Sequence, residues 1–126
     1  KQKAIESGIS NRVDFEGFQK NLIPYYLYAK ATVLTSIYEG YPNVLVESIA
    51  MNTPVVSFDC PSGPSEIIKD GINGYLVKYL DVDDLKKKLT FALNNKFNNK
   101  GLKDSIKKNH IEQVFQDYEK LINSLN

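Results

Sequence analysis

Two rhythms run along this chain: short runs of β-branched and apolar residues, and stretches in which apolar residues recur at helical spacing. The clearest run is Pro-Val-Val-Ser-Phe at 54–58, a continuous apolar segment of the kind buried in parallel sheets. Residues 31–35 and 75–77 read as further strands, and Val13-Asp-Phe-Glu as a short one ended by Gly17 and Phe18. Residues 1–8 read as a helix tail stopped by Gly8. Asn21 is placed to cap a helix over 22–29, with Pro24 in its first turn and Leu22, Tyr25, Tyr26 and Ala29 on one face. A second helix runs from Asn43 to Met51 behind Pro42, whose missing N–H costs nothing there. A short one covers 64–68. Asp81 caps another over 82–94, in which Val82, Leu85, Leu89, Ala92 and Leu93 share a face while Lys86, Lys87 and Lys88 form a solvated one. After a polar connection over 94–100 come a short helix over 102–109 and an amphipathic one over 111–125. Ile111, Val114, Phe115, Tyr118, Leu121, Ile122 and Leu125 stripe the latter, as core or as a dock for a further domain.

Strands alternating with helices predict an α/β fold. The expected sheet is Rossmann-like and parallel, contains 13–15, 32–35, 54–58 and 75–77, and carries helices on both faces plus extra C-terminal helices. Ligands of such sheets bind beyond the carboxyl ends of the strands. Gly17-Phe18, the 36–42 loop and the 59–65 loop each follow a strand, so they are expected to converge on one edge.

Composition narrows the classes. At 126 residues the chain is long enough for one domain with a core, and a net charge of +1 gives no bulk field to recruit nucleic acid. A single cysteine, Cys60, rules out an internal disulfide and fits a reducing compartment. No apolar run approaches the ~20 residues of a membrane span. The chain opens without Met, in what reads as mid-helix, and is expected to be an excised fragment forming one domain over 1–126. His110 has no partner at metal-ligand spacing, and no dinucleotide, Walker or serine-elbow motif is present.

The candidate chemistry lies at 35–51, where a strand, a Gly-containing loop and a helix N-terminus follow one another. That order sets free backbone N–H groups and the positive end of a helix dipole against an anion. Glu39 in the loop and Glu47 one turn into the helix flank the anion position. Bare phosphate would be repelled by them, but a ligand with phosphate in the middle and polyols on both sides would find strong acceptors for its hydroxyls. A surface loop and an amphipathic helix with two solvated glutamates fit the same residues. Phe18 is placed either to stack on a nucleobase or to join the core. Tyr38 and Tyr41 either wall a pocket or shield strand ends. The 59–65 loop offers Ser62 and Ser65 as hydroxyl donors, with Glu66 as a helix-terminus carboxylate.

Glu39-Gly-Tyr-Pro-Asn-Val-Leu-Val-Glu47, two glutamates separated by seven residues, resembles the signature of glycosyltransferase family 4. The following Ser-Ile-Ala-Met-Asn-Thr-Pro-Val-Val and Gly-Pro-Ser-Glu-Ile-Ile match as well, and the similarity runs in order from about Val13 to Leu93. The resemblance implies one half of a GT-B fold, the C-terminal domain that binds a nucleoside diphosphate sugar. It implies that Glu47 holds the ribose hydroxyls and Glu39, the catalytic carboxylate, lies against the transferred sugar. Gly40 and Tyr41 would then stand near the sugar, and Asn43, Val44 and Leu45 near the diphosphate.

The implied reaction moves a hexose to an acceptor hydroxyl with retention of configuration, without metal or other cofactor. The donor would be UDP-linked, with guanosine diphosphate mannose left open. The implied setting is cell-surface polysaccharide, lipopolysaccharide or glycan synthesis in the bacterial cytoplasm, with peripheral association at the inner face of the membrane. Its partner would be the absent N-terminal, acceptor-binding domain, so no transferase activity is expected of these residues by themselves. The sequence departs from the family in lacking the Arg and Lys that pair with the diphosphate; Arg12 does not match their position. A non-catalytic nucleotide- or phosphate-binding α/β module, and an interaction module using the 111–125 stripe, are the alternatives.

Overall fold

The computed structural model describes residues 1–109, 113, 114, 116 and 120. In chain order its elements are α1 (Gln2–Glu6), α2 (Ile23–Tyr28), β1 (Thr32–Leu34), α3 (Asn43–Ala50), β2 (Val55–Phe58), α4 (Pro64–Ile67), β3 (Gly74–Val77), α5 (Val82–Asn94) and α6 (Asn99–Ser105), with 3₁₀ turns at Ser10–Arg12 and Lys107–Asn109. The three strands form one parallel sheet in the order β1-β2-β3, with Thr32 opposite Val55 and Val55 opposite Gly74.

All four residues of β2 are buried, as the apolar run at 54–58 requires of a central strand. Successive side chains point to opposite faces. Val55 joins Leu45, Ile49, Ile67, Leu102 and Ile106 on one face. Val56 and Phe58 join Val77 and Ala92 on the other. Helices therefore cover both faces, α3, α4 and α6 on one and α5 on the other. Leu45, Ile49 and Val55 are fully excluded from solvent, and each such side chain contributes about 1.5–3 kcal/mol relative to exposure. Gly74 is dictated by this packing, because a Cβ there would collide with the main chain of Val55.

The expected strand at 13–15 is not formed. Val13 leaves the preceding 3₁₀ turn with extended backbone, but no described segment pairs with it, and an extended segment without a hydrogen-bond ladder is only a loop. Phe15 is half exposed there, under the Lys1 ammonium. Helix α2 has a narrower inner face than its period implied: Tyr26 is buried, while Leu22, Tyr25 and Ala29 are exposed. The helix is short, and its main packing partner among the described residues is α3. The N-cap is Leu22, one residue later than expected and without a side-chain cap; Asn21, just before it, accepts a hydrogen bond from the Ile23 amide at 3.0 Å.

At α5 the Asp81 carboxylate accepts from the Asp84 amide at 2.9 Å. Leu85, Leu89 and Ala92 pack inward, but Val82 and Leu93 lie exposed. Lys88 departs from the solvated face assigned to it. Its ammonium sits 2.7 Å from Asp70 Oδ2 and 5.4 Å above the Tyr75 ring, because its stem follows the same stripe as Leu85 and Leu89. Helix α6 starts earlier than 102, inside the polar stretch, since Asn98 caps it by accepting from the Lys100 amide at 2.9 Å. His110 and nearly all of the expected 111–125 helix lie outside the described residues. Among the described residues no helix is long and apolar enough to cross a membrane.

Candidate active site

The loop between β1 and α3 carries Glu39, Gly40, Tyr41 and Pro42. Pro42 is buried and ends the loop. Two amides of the helix start are used internally: Asn43 N–H donates to the Tyr41 carbonyl at 2.9 Å and Leu45 N–H to the Pro42 carbonyl at 3.0 Å. The amides of Gly40 and Val44 have no acceptor among the described residues. Val44 therefore presents the open N–H at the positive end of α3.

A second loop closes against the first. Ser62 and Gly63 both take positive φ, 58° and 89°. The Ser62 hydroxyl shares its hydrogen between the Glu39 carbonyl at 2.8 Å and the Pro61 carbonyl at 2.9 Å. A Cβ at Gly63 would stand 2.5 Å from Pro42 Cδ and 2.6 Å from the Gly40 carbonyl oxygen, so the two loops interlock and only glycine fits. A third tie comes from beyond β3, where the Tyr79 hydroxyl donates to the Ile37 carbonyl at 2.9 Å. The segments that follow β1, β2 and β3 thus meet at the carboxyl edge of the sheet.

Gly17 and Phe18 do not share in that meeting by following a strand, since none precedes them. Phe18 is 89% exposed, which removes it from the core. Tyr38 is 72% exposed and Tyr41 43%, so Tyr38 does not shield strand ends. Ser65 and Glu66 are exposed, and the Glu66 carbonyl accepts from the Lys108 ammonium at 2.8 Å. Cys60 is buried and unpaired.

The two glutamates have different surroundings. Glu39 is half-buried in the interlocked loop. Glu47 opens onto a cleft of about 360 Å³ between α2 and α3, lined also by Lys20, Leu22, Ile23, Tyr26 and Met51. The Tyr26 hydroxyl donates to Glu47 Oε2 at 3.1 Å. Burial of the phenol, followed by its bond to Glu47, pushes its pKa up to about 12, so it stays a donor. Sequence reasoning missed this pairing and Lys20. The available signal was chemical: a tyrosine on the inner face of a helix needs a partner for its hydroxyl. Among the described residues no three His, Cys, Asp or Glu side chains gather as a metal site would need.

Comparison with known proteins fits this architecture. Residues 1–113 match the family model described as glycosyl transferases group 1. The chain is 34% identical over 100 residues to poly(ribitol-phosphate) alpha-N-acetylglucosaminyltransferase of Staphylococcus aureus, covering 75% of this chain and 20% of that protein. It is 38% identical over 85 residues to lipopolysaccharide 1,6-galactosyltransferase of Salmonella typhimurium, covering 63% and 23%. The chain thus spans about a fifth of the length of these relatives.

Among solved structures, the apo form of the lipopolysaccharide outer core galactosyltransferase WaaB superposes with a TM-score of 0.88 at 28% identity, over 99% of this chain and 37% of that one. A variant of S. aureus TarM solved with fondaparinux, alpha-GlcNAc-glycerol and UDP gives 0.84 at 28%, over 97% and 26%. These neighbours are GT-B glycosyltransferases, in agreement with the fold expected here. With the family model matched along nearly the whole of its described length, this chain belongs to the group 1 glycosyl transferases.

Proposed function

We propose that this chain is the donor-binding part of a retaining, family 4 hexosyltransferase. It binds a nucleoside diphosphate sugar, and the sugar passes to an acceptor hydroxyl held by a further, N-terminal domain. The observation that carries this reading is the interlocked edge: Glu39 is fixed in the loop by Ser62, the Val44 amide is open at the start of α3, and Glu47 faces the adjoining cleft. A diphosphate at the helix start would have polyols on either side, each within reach of a carboxylate.

In the reaction the anomeric carbon bonds to the acceptor oxygen as its bond to the diphosphate breaks, and the acceptor hydroxyl's proton passes to the leaving diphosphate oxygen. Negative charge grows on the leaving diphosphate, where the Gly40 and Val44 amides and the helix dipole favour it, with Tyr41 and Asn43 shaping the same wall; Leu45, whose side chain is fully buried and whose amide bonds Pro42, lies behind it. Positive charge grows on the sugar, next to Glu39. Phe18, exposed ahead of α2, is available to stack on the base. No metal or cofactor is required by this scheme. UDP is the favoured nucleotide, supported by the UDP present with the TarM variant. Relatives named for lipopolysaccharide and poly(ribitol-phosphate) glycosylation support a role in bacterial cell-surface glycan synthesis, at the inner face of the membrane.

Calorimetric titration of the full-length protein with UDP, GDP and pyrophosphate tests the reading. Glu47→Ala should weaken the nucleotide that binds by roughly tenfold to a hundredfold, the loss of about 1.5–3 kcal/mol in hydrogen bonds to a charged acceptor. Pyrophosphate binding as tight as nucleotide, indifferent to Glu47, would instead establish a general phosphate-binding module.

A further inference from the structure

We propose that Tyr26 is a positioning residue for ribose recognition: its hydroxyl fixes Glu47 Oε2, so that the rest of the carboxylate stands ready in the cleft to accept from the ribose diol. This inference rests on the donor-site reading above.

The geometry argues for it at three levels. Glu47 is exposed and has a long side chain, which without a tether would sample many rotamers and lose that freedom on binding. The Tyr26 hydroxyl, 3.1 Å from Oε2, removes part of that loss in advance, as preorganisation does generally. Oε1 has no partner among the described residues and both side chains line the same cleft.

The tether is itself anchored. Tyr26 is 6% exposed, and its carbonyl accepts from the buried Thr53 hydroxyl at 2.6 Å. The Thr53 carbonyl accepts in turn from Ser48 at 3.0 Å, and the same Ser48 hydroxyl lies 2.9 Å from Thr32 Oγ1. This chain of buried groups locks α2 to the far end of α3 and to β1, so the distance from Tyr26 to Glu47 is set by the fold. A phenol held neutral by burial and by the adjacent carboxylate keeps donating at any physiological pH.

Tyr25 supplies an internal control. Its hydroxyl also bonds a glutamate, Glu16 Oε2 at 2.8 Å, but both residues are exposed and Tyr25 does not line the cleft.

The test uses the full-length protein and the probe pairs UDP with 2′-deoxy-UDP and GDP with 2′-deoxy-GDP, titrated calorimetrically. The unaltered protein should prefer the ribonucleotide of the pair it binds. Tyr26→Phe should weaken that ribonucleotide about five- to twentyfold, shrink its preference over the deoxy form, and add nothing in a Glu47→Ala background. Tyr25→Phe should change neither value.

Equal losses for ribo and deoxy forms, additive with Glu47→Ala, would mean that Tyr26 only packs, and the proposal falls. If Glu47→Ala weakens the ribonucleotide while Tyr26→Phe leaves its preference intact, positioning fails and the donor site stands. No binding by either pair, or no effect of Glu47→Ala, overturns the donor site and this inference with it. Should Tyr26→Phe not fold, the Tyr26 ring-carbon resonance in the unaltered protein decides. It should move on saturation with the ribonucleotide and stay put with pyrophosphate; the same shift with both overturns the inference.

Discussion

Ser62 donates its hydroxyl hydrogen to the main-chain carbonyl of Glu39 at 2.8 Å, so the loop after β2 holds the loop that carries the first glutamate. Gly63, next in the chain, makes that approach sterically feasible. Gly63→Ala would put a methyl group 2.5 Å from Pro42 Cδ at φ +89°, a strain of about 1–3 kcal/mol that separating the loops would relieve. Turnover of nucleotide sugar should then fall at least tenfold, with circular dichroism unchanged. Wild-type turnover in this variant would mean that the interlock does not shape the site.

Glu39 and Glu47 should separate in function. Glu39 stands in the loop before α3, and Glu47 on the helix beside the α2 cleft. Glu39→Ala should leave the affinity for free nucleotide diphosphate within about twofold and lower the transfer rate by roughly a hundredfold or more, as loss of a group facing developing charge does. Calorimetry and turnover on the same preparation decide it. Loss of nucleotide binding in Glu39→Ala would reverse the two roles.

Asn73 should prove the costliest polar residue to remove. It is fully buried. Its amide donates to the Ile67 carbonyl and to Ser105 Oγ, both at 2.9 Å, and its carbonyl oxygen accepts from the Lys69 amide at 2.7 Å. The three bonds tie α4, the turn before β3 and α6. Asn73→Ala leaves those partners unsatisfied and should cost about 2–4 kcal/mol in urea unfolding. A loss below about 0.5 kcal/mol would show that the network relaxes freely.

Two groups give the stability opposite pH slopes. The Tyr26 pKa is raised from 10.0 to about 12 in the fold, mainly by burial. Its contribution is therefore complete below pH 10 and is lost as the pH rises from 10 toward 12. The Asp81 pKa is lowered, first by the bond from the Asp84 amide. Its contribution is present above the ordinary value of 3.8 and is lost as the pH falls through the lowered one. Melting curves should flatten at the alkaline end in Tyr26→Phe and at the acid end in Asp81→Asn. Unchanged slopes would assign the pH dependence to other groups.

Much of the fold was legible because it depends on local chemistry. The apolar run at 54–58, the Pro42 helix start and the Asp81 cap each act through neighbours in sequence, and each holds. The convergence of the 36–42 and 59–65 loops followed from strand–helix alternation. What depended on distant partners was not legible. Val13-Asp-Phe-Glu has strand composition but no ladder. The inner face of α2 shrank to Tyr26, because the helix is short and packs mainly on α3. Tyr26 finds Glu47 across 21 positions, and Lys88 finds Asp70 across 18; no periodicity encodes either. At the candidate site, the Glu39–Glu47 spacing pointed to the segment, while the internal use of the Asn43 and Leu45 amides depends on the backbone conformation of the loop, which residue types alone do not fix.

Each strand of the sheet pairs with the next strand in the chain, Thr32 with Val55 and Val55 with Gly74. The consequence is kinetic. Ordering the sheet requires only the two crossings between chain-adjacent strands to close, and closure entropy grows only slowly with loop length. The loops bearing Glu39 and Ser62 lie within those two crossings, so the glutamate loop is assembled as the sheet zips up rather than added to a finished scaffold. In a pulse-labelling experiment, amides of β2 and α3 should gain exchange protection together, with the carboxyl edge already closed when they do.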